Sequence, residues 1–424
     1  MQELERKDME IKIGRIGNLI ILIILPTILL ILAFIMDSLS NIIRGLYDII
    51  IAPDILLTDY LHVGGLGATF VNASILAYVN LYIIYKLKLK INGALIAAIF
   101  TTIGFSFFGK NIFSVWPMYI GGYLYIKYQN IEFKNIMVII MFSTCLAPAV
   151  SEIAFGDYMP VSFGLPLGIL FGIFCGFIIT PLSSYMNRIH DGYNLYNIGF
   201  TAGLLGTLIN SLLKGFGINI KQQYILSTEF DLFFKILLVI FFTFLITLGF
   251  IINKNSFRGY SKILSYSGRL VSDYTQLVGY GLTFINMGIM GLISIIYVIA
   301  LYGVFNGPVV GAIFTVVGFS AFGKHPKNTL PVLAGVFIAG VITLWDINST
   351  IVIISGLFGT TLAPIAGKYG ISAGILAGFL HLSLVMNIGS IHGGINLYNN
   401  GFSGGLIASM LFPLLNSFKK GDNL

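Results

Sequence analysis

Charged residues are scarce in this chain. Of 424 residues, 10% are charged and 57% hydrophobic, where a soluble globular domain carries about 25% charged residues. A water-soluble fold of this length could not cover its surface with so few charges, which excludes soluble enzymes and nucleic-acid-binding proteins. Cysteine is scarcer still. Cys145 and Cys175 are the only two, each inside an apolar run, which excludes a disulfide framework, a CxxC pair and a zinc site. HExxH and Walker A motifs are absent, so no metal and no cofactor is expected. No carboxylate stands in the middle of an apolar run. Ion-driven pumps usually carry one there, so this lack favours a neutral solute or weak anion moved passively or with weak coupling. The stretch 19–35 is flanked by charge and has no small-residue cleavage site, unlike a cleaved signal peptide. The net charge of +7 comes from basic residues scattered singly between apolar runs, the pattern of topology markers.

What the chain does have is a repeat. Residues 92–111 (NGALIAAIFTTIGFSFFGKN) and 306–325 (NGPVVGAIFTVVGFSAFGKH) agree at twelve of twenty positions, at an offset of 214. Upstream, Asp59, Gly65, Gly67, Thr69, Phe70 and Asn72 match Asp273, Gly279, Gly281, Thr283, Phe284 and Asn286. Downstream, Leu146-Ala147-Pro148 matches Leu362-Ala363-Pro364. Residues 190–206 (HDGYNLYNIGFTAGLLG) match 392–408 (HGGINLYNNGFSGGLIA) at ten of seventeen. Four ordered blocks make the chain a duplication. The first repeat occupies 15–220 and the second 230–418, joined by a linker at 221–229. Short tails at 1–14 and 419–424 are expected in the cytoplasm.

Each copy holds seven apolar segments. In the first they lie near 17–36, 64–85, 92–109, 112–127, 135–153, 164–187 and 199–216; in the second, near 231–252, 278–302, 305–323, 328–343, 349–367, 371–391 and 401–417. A spanning helix needs about 20 apolar residues, and most segments qualify. The fourth is short, holds Pro117 or Pro331 and follows a Gly-Lys break, and the seventh starts in an Asn/Gly-rich run. Such segments read as half-helices or re-entrant turns, tolerated at membrane depth only against protein or a water-filled cavity. An odd number of crossings inverts the second copy. With the N-terminus cytoplasmic, alternation puts 19 of the 24 Lys and Arg residues on the cytoplasmic side, as the positive-inside rule expects. Glu152 and Lys368, each four residues past a Leu-Ala-Pro, are equivalent positions of opposite sign. The expected fold is an all-α integral membrane protein of two inverted-topology repeats, each with about five to seven transmembrane segments and broken or re-entrant helices.

Inverted repeats bring equivalent groups to the bilayer midplane, and interrupted segments at matching positions point to a solute site there. Asn194 and Asn197 recur as Asn396 and Asn399 among glycines. Their amides both donate and accept, and either hold a small polar solute or cap the helix. At the Gly-Lys break, Phe105, Ser106 and Lys110 recur as Phe319, Ser320 and Lys324. The phenylalanines would form a constriction. The lysines would draw an anion, hold carbonyls at a helix C-terminus or snorkel to the interface. His190 and His392 are the only recurring histidines, read as proton relays or as interfacial residues. Asp59 and Asp273 read as caps, with pairing to Lys110 and Lys324 as the alternative. Asn72 and Asn286 read as buried amides bonding between helices.

Gly401-Phe402-Ser403-Gly404-Gly405 fits G-x-S-x-G and the G-x-S-G of rhomboid-type intramembrane proteases. A serine nucleophile needs a histidine base. None follows Ser403, and the first copy has Thr201 in its place. The repeat accounts for the glycines without catalysis, so no enzyme is expected.

The whole chain resembles an uncharacterised family of bacterial multi-pass membrane proteins built from a tandem repeat. G-F-S-x-F-G-K (104–110 and 318–324) and H-x-G-x-N-L-Y-N-x-G-F (190–200 and 392–402) carry that resemblance; it implies no substrate. Gly192-Tyr193-Asn194 followed by Gly203-Leu204-Leu205-Gly206 also resembles urea transporters, whose halves are inverted and include a re-entrant element. The second copy departs from them with Ile395 in place of Tyr193, and their Leu-Pro pore motif is not evident.

The expectation is thus a transporter or channel for a small polar solute, with the path at the repeat interface. Its setting would be the lipid bilayer of a bacterial inner (plasma) membrane, both termini cytoplasmic. An ion-coupled transporter of a small anion is one alternative, a scaffold or receptor another. Glycine-rich faces would serve a homo-oligomer as readily as packing within one chain.

Overall fold

The computed structural model describes residues 14–220 and 223–418. Both expected tails, apart from Gly14, and the start of the linker at Lys221 lie outside the described residues. Among those residues no strand forms, only isolated bridges such as Asp59–Phe108 and Asp273–Phe322. Eight helices are long and apolar enough to cross a membrane, four in each copy. They are Arg15–Met36, Gly65–Lys86, Met137–Phe155 and Val161–Ile189, then Asp231–Ile252, Tyr280–Ala300, Thr350–Tyr369 and Ile371–Ile388. Their outer faces expose Ile31, Phe34, Leu170, Phe174 and Ile240, side chains that lipid tails solvate and water does not. The protein is an all-helical, multi-pass membrane protein.

The third segment of each copy is shorter than a span. Gly93–Phe105 and Gly307–Phe319 have 13 residues each, about 20 Å of helix against about 30 Å of hydrocarbon. Asn92 and Asn306 cap them, each side chain accepting the amide three residues on. Beyond Phe105 and Phe319 the chain turns through Gly109 (φ +78°) and Gly323 (φ +100°), a backbone region glycine enters without steric cost. The carbonyls freed by the break are met from the preceding span. Asn72 Nδ2 donates to Ser106 O and Lys110 O, both at 2.9 Å, and Asn286 Nδ2 to Ser320 O and Lys324 O, at 2.7 and 2.8 Å. The chain then returns in Trp116–Gln129 and Pro326–Ile342.

Two features differ from the sequence reading. The fifth segment is interrupted as well, by the 3-10 turns Thr144–Leu146 and Thr360–Leu362. Each precedes an Ala-Pro pair that restarts the helix; proline has no N–H to lose at a first turn. Hydropathy does not falter there, so composition could not reveal it. Leu39–Ile51 forms a further helix, with Ile42 and Ile49 buried and Leu39, Ile43 and Tyr47 exposed. It is too short and too polar to register as a span.

The copies pack through reciprocal contacts. Phe100 meets its own equivalent, Phe314, and Phe200 meets Phe402, each pair with ring centroids 6.4 Å apart. Gly93–Phe105 lies antiparallel to Gly307–Phe319, with Gly104 against Gly311 and Gly93 against Ala321. A Cβ at Gly104 would stand 2.5 Å from Gly311 O, and one at Gly311 2.5 Å from Gly104 O, so the approach needs glycine on both sides. Asp59 Oδ2 accepts from Gly307 N at 3.0 Å and Asp273 Oδ1 from Gly93 N at 3.1 Å. Each aspartate thus caps a helix of the opposite copy, where the macrodipole favours a carboxylate. Neither pairs with a lysine of the break: the ion pairs among the described residues are Lys134–Glu132, Lys235–Asp231 and Arg269–Asp191.

Candidate functional site

A cavity of about 420 Å³ lies between the copies. Seven equivalent pairs form the symmetric part of its lining, the floor, among them Phe105 with Phe319, Phe142 with Phe358, and Tyr196 with Tyr398. Phe105 stacks on Phe358 (5.4 Å) and tilts against Tyr398 (4.7 Å); Phe319 meets Phe142 (5.6 Å) and Tyr196 (4.6 Å). The 3-10 turns hold these rings in place. Leu195 N donates to Thr361 O (3.1 Å), and Leu397 N to Cys145 O (3.0 Å). The walls lack the symmetry of the floor. They come from Ala94, Val138, Ile139, Ser183, Ser184, Asn187, Leu270 and Val271, with Ser184 and Val271 exposed at the rim. The cavity therefore opens on one side, and among the described residues no Asp, Glu, Lys, Arg or His lines it.

The two lysines of the break lie behind the floor, fully buried. Lys110 Nζ donates to the Tyr398 hydroxyl at 2.6 Å, with the Phe105 and Tyr398 rings centred 5.3 and 4.8 Å away. Lys324 Nζ donates to the Tyr196 hydroxyl at 2.6 Å and to Thr360 Oγ1 at 2.7 Å, with the Tyr196 and Phe319 rings 4.5 and 5.5 Å away. Each lysine reaches a tyrosine of the other copy. The partners are hydroxyls and ring faces, which attract a cation through their quadrupole.

The remaining residues singled out from the sequence are placed as follows. Ser106 and Ser320 are buried and donate back to Thr102 O and Val316 O. Asn194 and Asn396 are buried and bond across the copies: their Nδ2 groups donate to Gly401 O (3.1 Å) and Gly199 O (3.2 Å). Their Oδ1 atoms accept from Tyr196 N and Tyr398 N, and neither residue lines the cavity. Asn197 does line it; its Oδ1 accepts from His190 Nε2 at 3.0 Å and its Nδ2 donates to Ser183 O. His392 Nε2 donates to Asn399 Oδ1 at 2.8 Å in the same way, away from the cavity. The structure thus brings Phe105, Phe319 and Asn197 to the cavity and the lysines to its floor, and turns the other residues to the backbone or to each other.

Three groups gain a place only in the fold. Tyr196 and Tyr398 stand in both N-L-Y-N runs, and that recurrence is their one signal in the sequence. Ser403 Oγ lies 3.2 Å from His381 Nδ1, and His381 Nε2 lies 3.0 Å from Asn400 Oδ1. An amide oxygen only accepts, so His381 carries its proton on Nε2 and Ser403 donates to Nδ1. The histidine comes from a helix before the serine, not after it, and no histidine recurs at that position in the first copy. Ser403 and His381 are buried away from the cavity, while Asn400 lines it. Asp54, between segments in sequence, folds back into the interior. Its Oδ2 accepts from Tyr60, Asn111 and Ser151 at 2.7 to 3.0 Å, and its Oδ1 has no partner among the described residues. Burial raises this carboxyl to about 7.

The chain belongs to the family described as protein of unknown function (DUF1576), whose model matches residues 38–215 and 252–417. No curated protein and no solved structure matches it.

Proposed function

We propose that this family member carries a small solute across the membrane through the space between two copies of opposite orientation, seen here with its cavity open to the cytoplasm. The observation that carries the reading is the cavity itself: a floor of equivalent residues from both copies beneath walls from one side only. A residue meets its own equivalent only on a symmetry axis, and Phe100–Phe314 and Phe200–Phe402 mark one. The antiparallel pair Gly93–Phe105 and Gly307–Phe319 needs that axis perpendicular to both helices, hence in the membrane plane where they follow its normal. A solute site at such an axis can face either side in turn. The open side carries positive charge close by in sequence: Lys90 before Ala94, Lys134 before Val138, Arg188 beside Asn187 and Arg269 beside Leu270. That bias supports a cytoplasmic mouth.

Stopped-flow light scattering of proteoliposomes against small neutral and anionic solutes tests this reading. Protein-dependent flux that Ser184→Trp at the mouth blocks is the expected result. A flat response to every solute, with protein inserted and folded, would sink it.

A second reading rests on Ser403, His381 and Asn400, which stand as a nucleophile, its base and an orienting group would. Burial of Ser403 and His381 away from the cavity supports the plainer role of fixing Asn400. Labelling of Ser403 by a fluorophosphonate, lost in His381→Ala, would revive the catalytic reading.

A further inference from the structure

We propose that the cavity takes an organic anion, a monocarboxylate with an apolar body, and that Tyr196 and Tyr398 receive the carboxylate. The proposal rests on the transport reading for its physiological meaning, but the binding site stands without it.

The argument begins with what each group has left to offer. Tyr196 and Tyr398 line the floor and are both at 7% exposure. Each hydroxyl oxygen accepts from a buried lysine at 2.6 Å. No acceptor for either O–H stands among the described residues, and both tyrosines line the cavity, so each O–H is available to a ligand seated there. A hydroxyl that accepts from a lysine is a better donor in turn, because hydrogen bonds in a chain polarise one another. Asn400 adds a third donor: His381 holds its Oδ1, leaving its amide N–H groups to the cavity it lines. The floor thus converges on donors.

Charge points the same way. Lys110 and Lys324 are buried without a carboxylate partner among the described residues. A buried amine without a charged partner favours its neutral form, and a negative charge arriving from the cavity would favour the protonated one. An anion seated on the two hydroxyls would be one hydrogen bond from each lysine. A neutral solute such as urea would bring no such gain. The remaining lining suits the rest of such a ligand. Phe142, Phe322, Phe358, Leu195 and Leu397 are apolar, and a pocket of this size buries a drug-sized molecule. Inorganic anions would leave those surfaces without a partner.

Benzoate and benzamide share a shape and differ in charge, so they isolate the claim. Binding to the purified full-length protein is measured by thermal shift and titration calorimetry at constant ionic strength, for the wild type and for Tyr196→Phe, Tyr398→Phe and Lys324→Met. Phenylalanine keeps the ring and removes only the hydroxyl, so a folded variant is expected. Saturable benzoate binding, weakened about tenfold or more by each Tyr→Phe change and little matched by benzamide, is the expected result. Equal binding of benzamide, benzoate affinity untouched in both tyrosine variants, or no benzoate binding at all would overturn the proposal. Benzoate binding without flux in proteoliposomes would remove the transport reading and leave the anion site. Flux of neutral solutes without benzoate binding would do the reverse.

Discussion

Lys324 Nζ lies 2.6 Å from the hydroxyl of Tyr196, 128 residues earlier in the chain, and Lys110 repeats the relation with Tyr398. Among the described residues neither lysine bonds to the tyrosine of its own copy's motif. The cavity floor exists only because the two copies exchange residues, so whatever loosens their packing should also disable the site.

Gly104 and Gly311 test that link. Gly104→Ala places a Cβ 2.5 Å from Gly311 O, and the backbones must part. A loss of about 1–3 kcal/mol is expected, the usual cost of overpacking, read as a lower melting temperature in detergent together with weaker ligand binding. Gly215→Ala is the control. A Cβ there meets nothing within 4 Å, and the change should be neutral or stabilising by up to about 1 kcal/mol.

Asn194 is a bridge between the copies, with Gly401 O on its amide and Tyr196 N and Thr361 Oγ1 on its oxygen. Asn194→Ala should cost about 1–3 kcal/mol, because it strands buried partners. Asn187 at the cavity mouth has an Oδ1 without a partner among the described residues, and Asn187→Ala should leave thermal stability nearly unchanged. Equal melting temperatures for the two variants would contradict the bridging role.

The proposed inversion of the second copy makes a prediction about sidedness. Glu152 is itself buried, so exposed neighbours must report. Asp157 follows the helix carrying Glu152, and Lys368 lies in the last turn of the equivalent helix; both are exposed. Cysteines at these two positions should react with an impermeant maleimide from opposite sides of the membrane. The native Cys145 and Cys175 are buried and should give little background. Labelling of both positions from one side would rule the inversion out.

Asp54 predicts a pH dependence. It lies outside the spanning helices, and burial raises its carboxyl from 3.8 to about 7. A carboxyl that holds its proton more tightly when folded contributes fully below its unfolded value, and the contribution is lost as pH rises through the folded one. The wild type should therefore lose stability from about pH 4 to about pH 7, by at most about 4 kcal/mol. Asp54→Asn keeps an acceptor for Tyr60 and Ser151 and should flatten that slope. A wild-type slope that persists in the variant would assign it to another group.

Hydropathy and self-similarity were enough to establish a multi-pass helical protein made of two copies, and to locate the Gly-Lys break. These properties are local or periodic: a span is a run of apolar residues, and a duplication repeats its letters. The pairing of parts was not legible. Asp59 reads as a cap from its position before a helix, but the helix it caps across the interface begins at Gly307. Asn194 and Asn197 look alike in the sequence, yet one faces backbone and the other the cavity, because three residues along a turn point in different directions. His381 has no counterpart in the first copy, so the repeat does not mark it, and only packing sets it beside Ser403. The one-sided cavity is likewise beyond the reach of the repeat. Two copies of one sequence pattern imply equivalent walls, and the closure of one side against the other is a choice made by tertiary packing.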